Sequence, residues 1–461
     1  MIRSLSFAEL QQRFGGECYG SLNGFTQLET DSRQPLEGKV FLALKGERFD
    51  GHRFCQQAKE QGATGLVVSD YQPGIDLPQW CVPDTRIALG QIALFNRELF
   101  QGGVIAITGN SGKTTVKEML GSVLSQAFGS DSVLITAGNF NNDIGVPLTL
   151  LRLSPEHRFA VIELGANHLG EIEYCAGLAR PDIGVVLNVT GAHLGEFGST
   201  DNIAQAKGEL ILALGEGGCA IINQDDVYAE YWRSLASVCR LTSYGVSLGQ
   251  AEAGAEVKAK NIQIKDAGYT FDLCFQHDCF PVFLQVPARH NVSNALAAAA
   301  AALQLGVSLR TIAEGLGRFS GVVGRLQIVT GFKQSSIIND SYNANPGSVR
   351  AAIDTLMDFS GQHILILGDV GELGDESVQA HTSLGEYARE KGVDYLFTYG
   401  DLTRHTADAF GANACHFTDQ LRLAESVKVL LTQDTAVLVK GSRSMQMEVV
   451  VEALSPPPPA D

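Results

Sequence analysis

The stretch VIAITGNSGKTTVKEML, residues 104–120, decides how this chain is read. An apolar run of strand character ends in a glycine-bearing loop, and a helical pattern begins at once with Lys113 and two threonines. Backbone N–H groups in such a loop, with the N-terminus of the helix behind it, make a cradle for phosphate oxygens. Gly109 and Gly112 permit close approach, with Asn110 and Ser111 between them. Lys113 brings a point charge to the outer phosphates, and Thr114, followed by Thr115, offers a hydroxyl to Mg2+. The common form of the loop, G-x-x-x-x-G-K-[ST], has a glycine where this chain has Ile107, so the loop is a shortened variant.

From residue 104 onward, strand patterns at 159–164, 182–189 and 219–223 alternate with helical ones. That alternation predicts an α/β fold with a mostly parallel, doubly wound sheet. A more β-rich stretch at 255–286 follows, then the alanine-rich helix ALAAAAAAL (295–303). The glycines of FSGVVGRLQ (319–327) mark a boundary, after which strands and helices alternate again as a smaller Rossmann-like unit. Before the loop, the first hundred residues mix short elements: a strand in KVFLALKG (39–46), helix–turn–strand in 51–70, and a helix at 86–100. The expected domains are 1–100, 101–322 and 323–455, with a disordered proline-rich tail at 456–461.

The length of 461 residues agrees with about three domains at roughly 150 residues each. A net charge of -17 excludes general nucleic-acid binding, which needs a basic surface. The nine cysteines are scattered and include no C-x-x-C pair, which fits a reducing cytosol. Cys274 and Cys279 flank His277, but no second ligand pair accompanies them, so a strand or turn is the expectation there rather than a metal site. Residues 1–14 carry no apolar leader, and no apolar run reaches the ~18 residues that span a bilayer. A cytoplasmic protein, without membrane insertion and monomeric, is expected.

Several residues beyond the loop suit phosphate and metal chemistry. Glu163 ends an apolar strand, and ligands in parallel sheets gather beyond the carboxyl ends of strands. It could hold Mg2+ or simply accept local hydrogen bonds. His193, in LNVTGAHLGEFGS, lies just past another strand and could serve a metal or a substrate. Lys207 falls on a helix, where the default lysine is solvated. Asn291 and Asn294 open the alanine-rich helix, as caps or as amides that read a base. Arg325 follows the glycine-rich boundary, and Asp340 sits in the turn-forming NDSYNANPGS.

Taken in order, TGNSGKTT, the Glu163 strand, NVTGAHLGEFGS, AKGE, HNVSNALAA and NDSYNANPGS resemble the Mur ligases over nearly the whole chain. Within that family, NFNNDIGVPLTLL (139–151), NDSYNANP and ILGDVGELGDES (366–377) are similar to the branch that adds D-Ala-D-Ala to UDP-N-acetylmuramoyl-tripeptide. The resemblance implies a first domain for the UDP end of the substrate, a central ATP domain, and a third domain that closes over the site. It implies activation of the tripeptide carboxylate as an acyl phosphate, then attack by the dipeptide amine. It implies two Mg2+ ions, the first at Thr114 and Glu163, the second with help from His193 and from Lys207 as a carbamate. It further places Arg325 at the γ-phosphate, Asn291 near the adenine, Asp340 at the ribose, Ser32 of TDSR (30–33) on the uridine side, and Asn141 and Asn142 along the muramoyl-peptide channel.

Two departures are small. Asn110–Ser111 replaces the family's common middle pair, and Val370 stands where Met is frequent; neither removes a charged or metal-bearing residue. Two alternatives stay open. One is a different amide ligase of the same fold, such as one adding diaminopimelate, although the D-N-P-R stretch of that type is missing, or a folylpolyglutamate synthetase, which lacks the uridine domain. The other is a P-loop switch or scaffold without ligase chemistry.

Overall fold

Val40 and Leu42 point to one side of their strand and Phe41 to the other, and all three are buried. Such a strand is covered on both faces, which is why it reads as one apolar run rather than an alternation. The same division recurs in Gly103–Thr108: Ile105 and Ile107 enter one core, Val104 and Ala106 another. The chain is a computed structural model in which residues 1–46, 49–189, 197–246, 255–265 and 268–456 are described.

Three sheets follow one another along the chain. The first has five strands, in the spatial order Glu17–Tyr19, Gln79–Cys81, Gly65–Val68, Val40–Leu42 and Leu28–Glu29; only its Glu17–Tyr19 edge runs antiparallel. The helix Thr85–Leu99, started by Asp84 accepting from the N–H groups of Arg86 and Ile87, packs against the helices Gly145–Leu150 and Glu171–Ala179, and its apolar stripe joins the core that the first sheet also enters. Its buried Asn96 donates to the carbonyls of Leu150 and Leu153 and accepts from Ile2 N–H, so the first sheet shares a continuous core with the second.

The second sheet has nine strands. Seven are parallel, in the order Val133–Ile135, Phe159–Glu163, Gly103–Thr108, Ile183–Val186, Cys219–Asn223, Arg240–Val246 and Val257–Lys265. Two antiparallel strands, Gly268–Phe275 and Asp278–Leu284, extend it. Gly103–Thr108 comes first in sequence yet lies between strands reached on opposite sides, so the topological switch falls at its carboxyl end. That is where a doubly wound sheet opens a crevice for a ligand. The helix Lys113–Phe128 lies on one face with the alanine-rich helix His290–Gln304. Ala295 and Ala297–Ala302 have no exposed surface, and their small side chains let the helix lie close to its neighbours.

The third sheet has six strands, in the order Gln327–Thr330, Ser336–Asp340, Thr435–Lys440, Gln362–Gly368, Tyr395–Tyr399 and Ala414–Phe417, antiparallel only at its first edge. The Tyr269 hydroxyl, from the second sheet, donates to Asp358 of the third unit at 3.0 Å. Among the described residues no helix is long and apolar enough to cross a membrane.

Two sequence expectations need correction. The strand expected over 39–46 is confined to Val40–Leu42, because the chain then turns back: Gly51 N–H donates to Leu44 O, and Lys45 bridges Asp50. Cys274 and Cys279 do lie on strands flanking a turn, but they are not free thiols. The register sets them opposite one another, with Cα atoms 4.1 Å apart, and they form a disulfide. Of the proline-rich tail, residues 457–461 lie outside the described residues.

Gly315, on the helix Leu309–Arg318, marks a close approach to the P-loop helix: a Cβ there would sit 2.6 Å from Val123 Cα. Helix propensity favours alanine by about 1 kcal/mol, whereas overpacking against backbone costs about 1–3 kcal/mol. Gly315→Ala is expected to be net destabilising in urea unfolding; a net gain would show that the two helices part easily.

Candidate active site

The phosphate loop is shaped by its glycines. Gly112 has φ +84°, and a Cβ there would fall 2.6 Å from the Asn294 side-chain oxygen. Gly112 also N-caps the helix Lys113–Phe128 with no side-chain cap, so the positive end of the helix faces the crevice. The loop is tied to the neighbouring strand ends: Asn110 N–H donates to Asn188 O, and Ser111 N–H and Oγ both donate to Asn188 Oδ1 at 3.0 and 3.1 Å. Thr108 Oγ1 donates to Leu164 O. The Lys113 ammonium folds back onto the carbonyls of Gly109, at 2.8 Å, and Asn110. Desolvation lowers its pKa, nearby Glu163 opposes that shift, and Arg325, from the third unit, adds to it. Two cations from different domains therefore share one field.

Glu163 ends the strand beside the loop and is 2% exposed. Its two oxygens accept from Thr114 Oγ1 at 2.9 Å and Asn141 Nδ2 at 2.8 Å. Its own N–H donates to Thr136 Oγ1 at 2.9 Å. A hydroxyl and a carboxylate side by side at an uncapped helix N-terminus are hard oxygen donors of the kind Mg2+ takes beside substrate phosphates. Among the described residues no group of three His, Cys, Asp or Glu forms a self-sufficient metal cage. The donor set therefore fits an ion completed by phosphate oxygens and water.

Lys207 overturns the default reading of a helix lysine. It is 3% exposed, its ammonium lies 5.6 Å from the Phe197 ring centre, and it makes no hydrogen bond or ion pair among the described residues. Burial, then the Lys113 charge, brings its pKa down to about 7, against the pull of Glu209 and Glu171. His193, expected nearby, lies outside the described residues.

Asn291 donates to Pro287 O and accepts from Asn294 Nδ2, so its amide is engaged within the helix start. Asn142 Oδ1 accepts from the N–H groups of Ile144 and Gly145 and sets the next helix, Gly145–Leu150. Ser32 is buried in the first unit, 3.5 Å from Gln57 Oε1. The Arg325 guanidinium rests 4.5 Å from the Tyr342 ring centre. Both oxygens of Asp340 are already engaged: Lys440 Nζ donates to one at 2.5 Å, and Leu326 N–H to the other at 3.1 Å. Leu326 has φ +51°, so this carboxylate holds a strained turn directly beside Arg325.

Sequence reading missed Asn188, Thr136 and Lys440 as parts of the site. Asn188 lies inside the quoted LNVTGAH stretch and was open to discovery there; Thr136 and Lys440 meet their partners only through strand adjacency.

A phosphate cradle at the switch point of a doubly wound sheet, with a buried hydroxyl–carboxylate pair beside it, defines a P-loop nucleotide-binding protein. Residues 107–302 match the Mur ligase middle domain, 324–443 the Mur ligase glutamate ligase domain, and 25–97 the catalytic domain of the same family. The chain is 42% identical over 454 residues to the UDP-N-acetylmuramoyl-tripeptide–D-alanyl-D-alanine ligase of Escherichia coli K12, covering 98% of each. A crystal structure of MurF from Acinetobacter baumannii superposes with a TM-score of 0.90 at 38% identity, over 98% of this chain and 99% of that one. MurF from Thermotoga maritima in complex with ADP gives 0.81 at 26% identity, over 93% and 96%. The chain belongs to the Mur ligase family.

Two predictions follow from the buried lysines. Lys440→Met leaves Asp340 an unpaired buried carboxylate, so a loss of about 3–5 kcal/mol is expected in chemical denaturation. The folded state lowers the Lys207 pKa, so burying its ammonium is a full cost below about pH 7. The cost is relieved as pH rises toward the ordinary lysine value, because the unfolded chain keeps a proton that the folded one sheds. Lys207→Met is therefore expected to gain on the wild type most near pH 6, with the gap narrowing steadily as pH rises from about 7 toward the ordinary lysine value of 10.5. A gap independent of pH in parallel melts would contradict this.

Proposed function

We propose that this chain is an ATP-dependent amide ligase that joins D-Ala-D-Ala to UDP-N-acetylmuramoyl-tripeptide, giving the pentapeptide, ADP and phosphate. The observation that carries the reading is similarity along 98% of the chain to ligases of that name. The phosphate cradle of Gly109–Thr115, with Glu163 buried beside it, supplies the chemical core.

A carboxylate is a poor electrophile. Transfer of the γ-phosphoryl of ATP to the tripeptide carboxylate forms a C–O–P linkage and releases ADP. The dipeptide amine then attacks the acyl carbon, and the tetrahedral adduct loses phosphate and a proton to leave the amide. Phosphoryl transfer to an anion needs positive charge across the moving group. Lys113 supplies it from the loop, and Arg325 from the third domain, so chemistry is coupled to closure of that domain. Thr114 and Glu163 would hold one Mg2+, which supplies charge neutralisation at the phosphates.

Lys207 fits the second ion once modified. A pKa of about 7 leaves a large neutral fraction near neutral pH, and a neutral amine adds CO2 with release of a proton. The resulting carbamate is an anion able to join His193 as a ligand. Ser32 serves the uridine end, the segment of Asn141 and Asn142 the peptide, and the start of the helix His290–Gln304, at Asn291, the adenine. Asp340, engaged with Lys440 and Leu326, serves the nucleotide by holding the Arg325 turn, and a ribose contact would have to share its oxygens. The enzyme acts in the cytoplasm and as a monomer.

Phosphate release with ATP, Mg2+ and UDP-N-acetylmuramoyl-tripeptide is expected to require D-Ala-D-Ala, with pentapeptide detected by mass. Release with a different amino-acid partner alone would move the chain to another branch of the family. Lys207→Ala is expected to lose most activity and to regain part of it with acetate; full activity in that variant would remove the carbamate from the scheme.

A further inference from the structure

Lys117 is a buried charge that the reaction scheme leaves unused. It lies one helical turn beyond Lys113 on the P-loop helix and has no exposed surface. Its ammonium donates to the Thr136 carbonyl at 2.6 Å and pairs with Glu118 at 2.9 Å. An ammonium is costly to bury and is retained where its partners hold it.

Its chief partner is a junction. Thr136 follows the edge strand Val133–Ile135, and its N–H donates to Val161 O. Its hydroxyl accepts the N–H of Glu163 at 2.9 Å, while its carbonyl takes Lys117. From Thr136 the chain runs to Asn141, whose amide donates to one Glu163 oxygen and whose carbonyl accepts from Gly165 N–H. The P-loop helix thus reaches Glu163 by two routes. Thr114 touches the carboxylate directly, and Lys117, three residues on, clamps the residue that anchors both the Glu163 backbone and the start of the Asn141 loop.

We propose that Lys117 is a positioning residue that fixes the Glu163 carboxylate against the phosphate loop through Thr136, and so tunes the affinity of the site for its divalent ion. The inference rests on the reading of Glu163 as a metal ligand. Groups behind a metal's ligands commonly affect its binding by about ten- to a hundredfold when removed.

The test is Mn2+ binding in the presence of ADP, followed by loss of the free-ion EPR signal, with thermal melts and steady-state kinetics alongside. Lys117→Met is expected to weaken Mn2+ binding about tenfold or more and to raise the Mg2+ needed for turnover. Lys117→Arg, which keeps a cationic donor, is expected to recover part of the affinity. Thr136→Val keeps the carbonyl but removes the hydroxyl that receives Glu163 N–H, and is expected to weaken binding as well; it carries the test should Lys117→Met not fold. Glu163→Gln is the control. If folded Lys117 and Thr136 variants lose thermal stability but bind Mn2+ like the wild type while Glu163→Gln does not, Lys117 is only structural and the proposal falls. If Glu163→Gln also binds normally, the metal reading of Glu163 falls and this inference with it.

Discussion

The buried Glu163 carboxylate, held between the Thr114 hydroxyl and the Asn141 amide, is the contact on which the site depends. One partner comes from the P-loop helix and the other from the loop after the edge strand, so the carboxylate registers helix against sheet. Both oxygens are satisfied by neutral donors, which lets an anion stay buried without a permanent cation against it. In the proposed scheme a divalent ion would take the place of these two hydrogen bonds, while the backbone remains fixed through Thr136. Preorganisation of this kind spares reorganisation when charge moves.

Positive charge is arranged around that anion in layers. Lys113 is curled onto loop carbonyls, Arg325 is presented from the third domain, and Lys207 is buried without a counter-ion among the described residues. Burial lowers the pKa of both Lys113 and Lys207, and like charge adds to it, from Arg325 on the first and from Lys113 on the second. In the proposed scheme a triphosphate would relieve the first conflict, and carbamate formation on Lys207 the second. The Asp340–Lys440 pair behind the Arg325 turn has another purpose: it is a closed, local neutralisation that keeps one backbone segment in a left-handed turn.

Legibility in the sequence follows how local each cause is. The cradle at 109–115 is read directly, because glycines, a lysine and a helix start are contiguous and their geometry depends on neighbours in the chain. Strand positions were readable as apolar runs for the same reason, although Val40–Leu42 is cut short by a turn whose cause, the return of Gly51 to Leu44, is not written in composition. Glu163 is marked in the sequence by its place at a strand end, but that Thr114 and Asn141 stand on either side of its carboxylate is set only by the fold. Lys207 looked like any solvated helix lysine, since helix periodicity does not say which face a neighbouring helix and strand will cover.

The sequence by itself determined the α/β class, the nucleotide loop and the order of the family motifs, because each rests on short-range pattern: period, turn chemistry and adjacent residue types. Only the tertiary structure decided which buried charges face one another. Lys113 feels Arg325 across more than two hundred residues of chain, Asp340 meets Lys440 at a separation of 100, and Thr136 receives Glu163 from the next strand. Those encounters are set by strand order and domain packing, and electrostatic energy depends on distance in space and on the surrounding dielectric, not on distance along the chain.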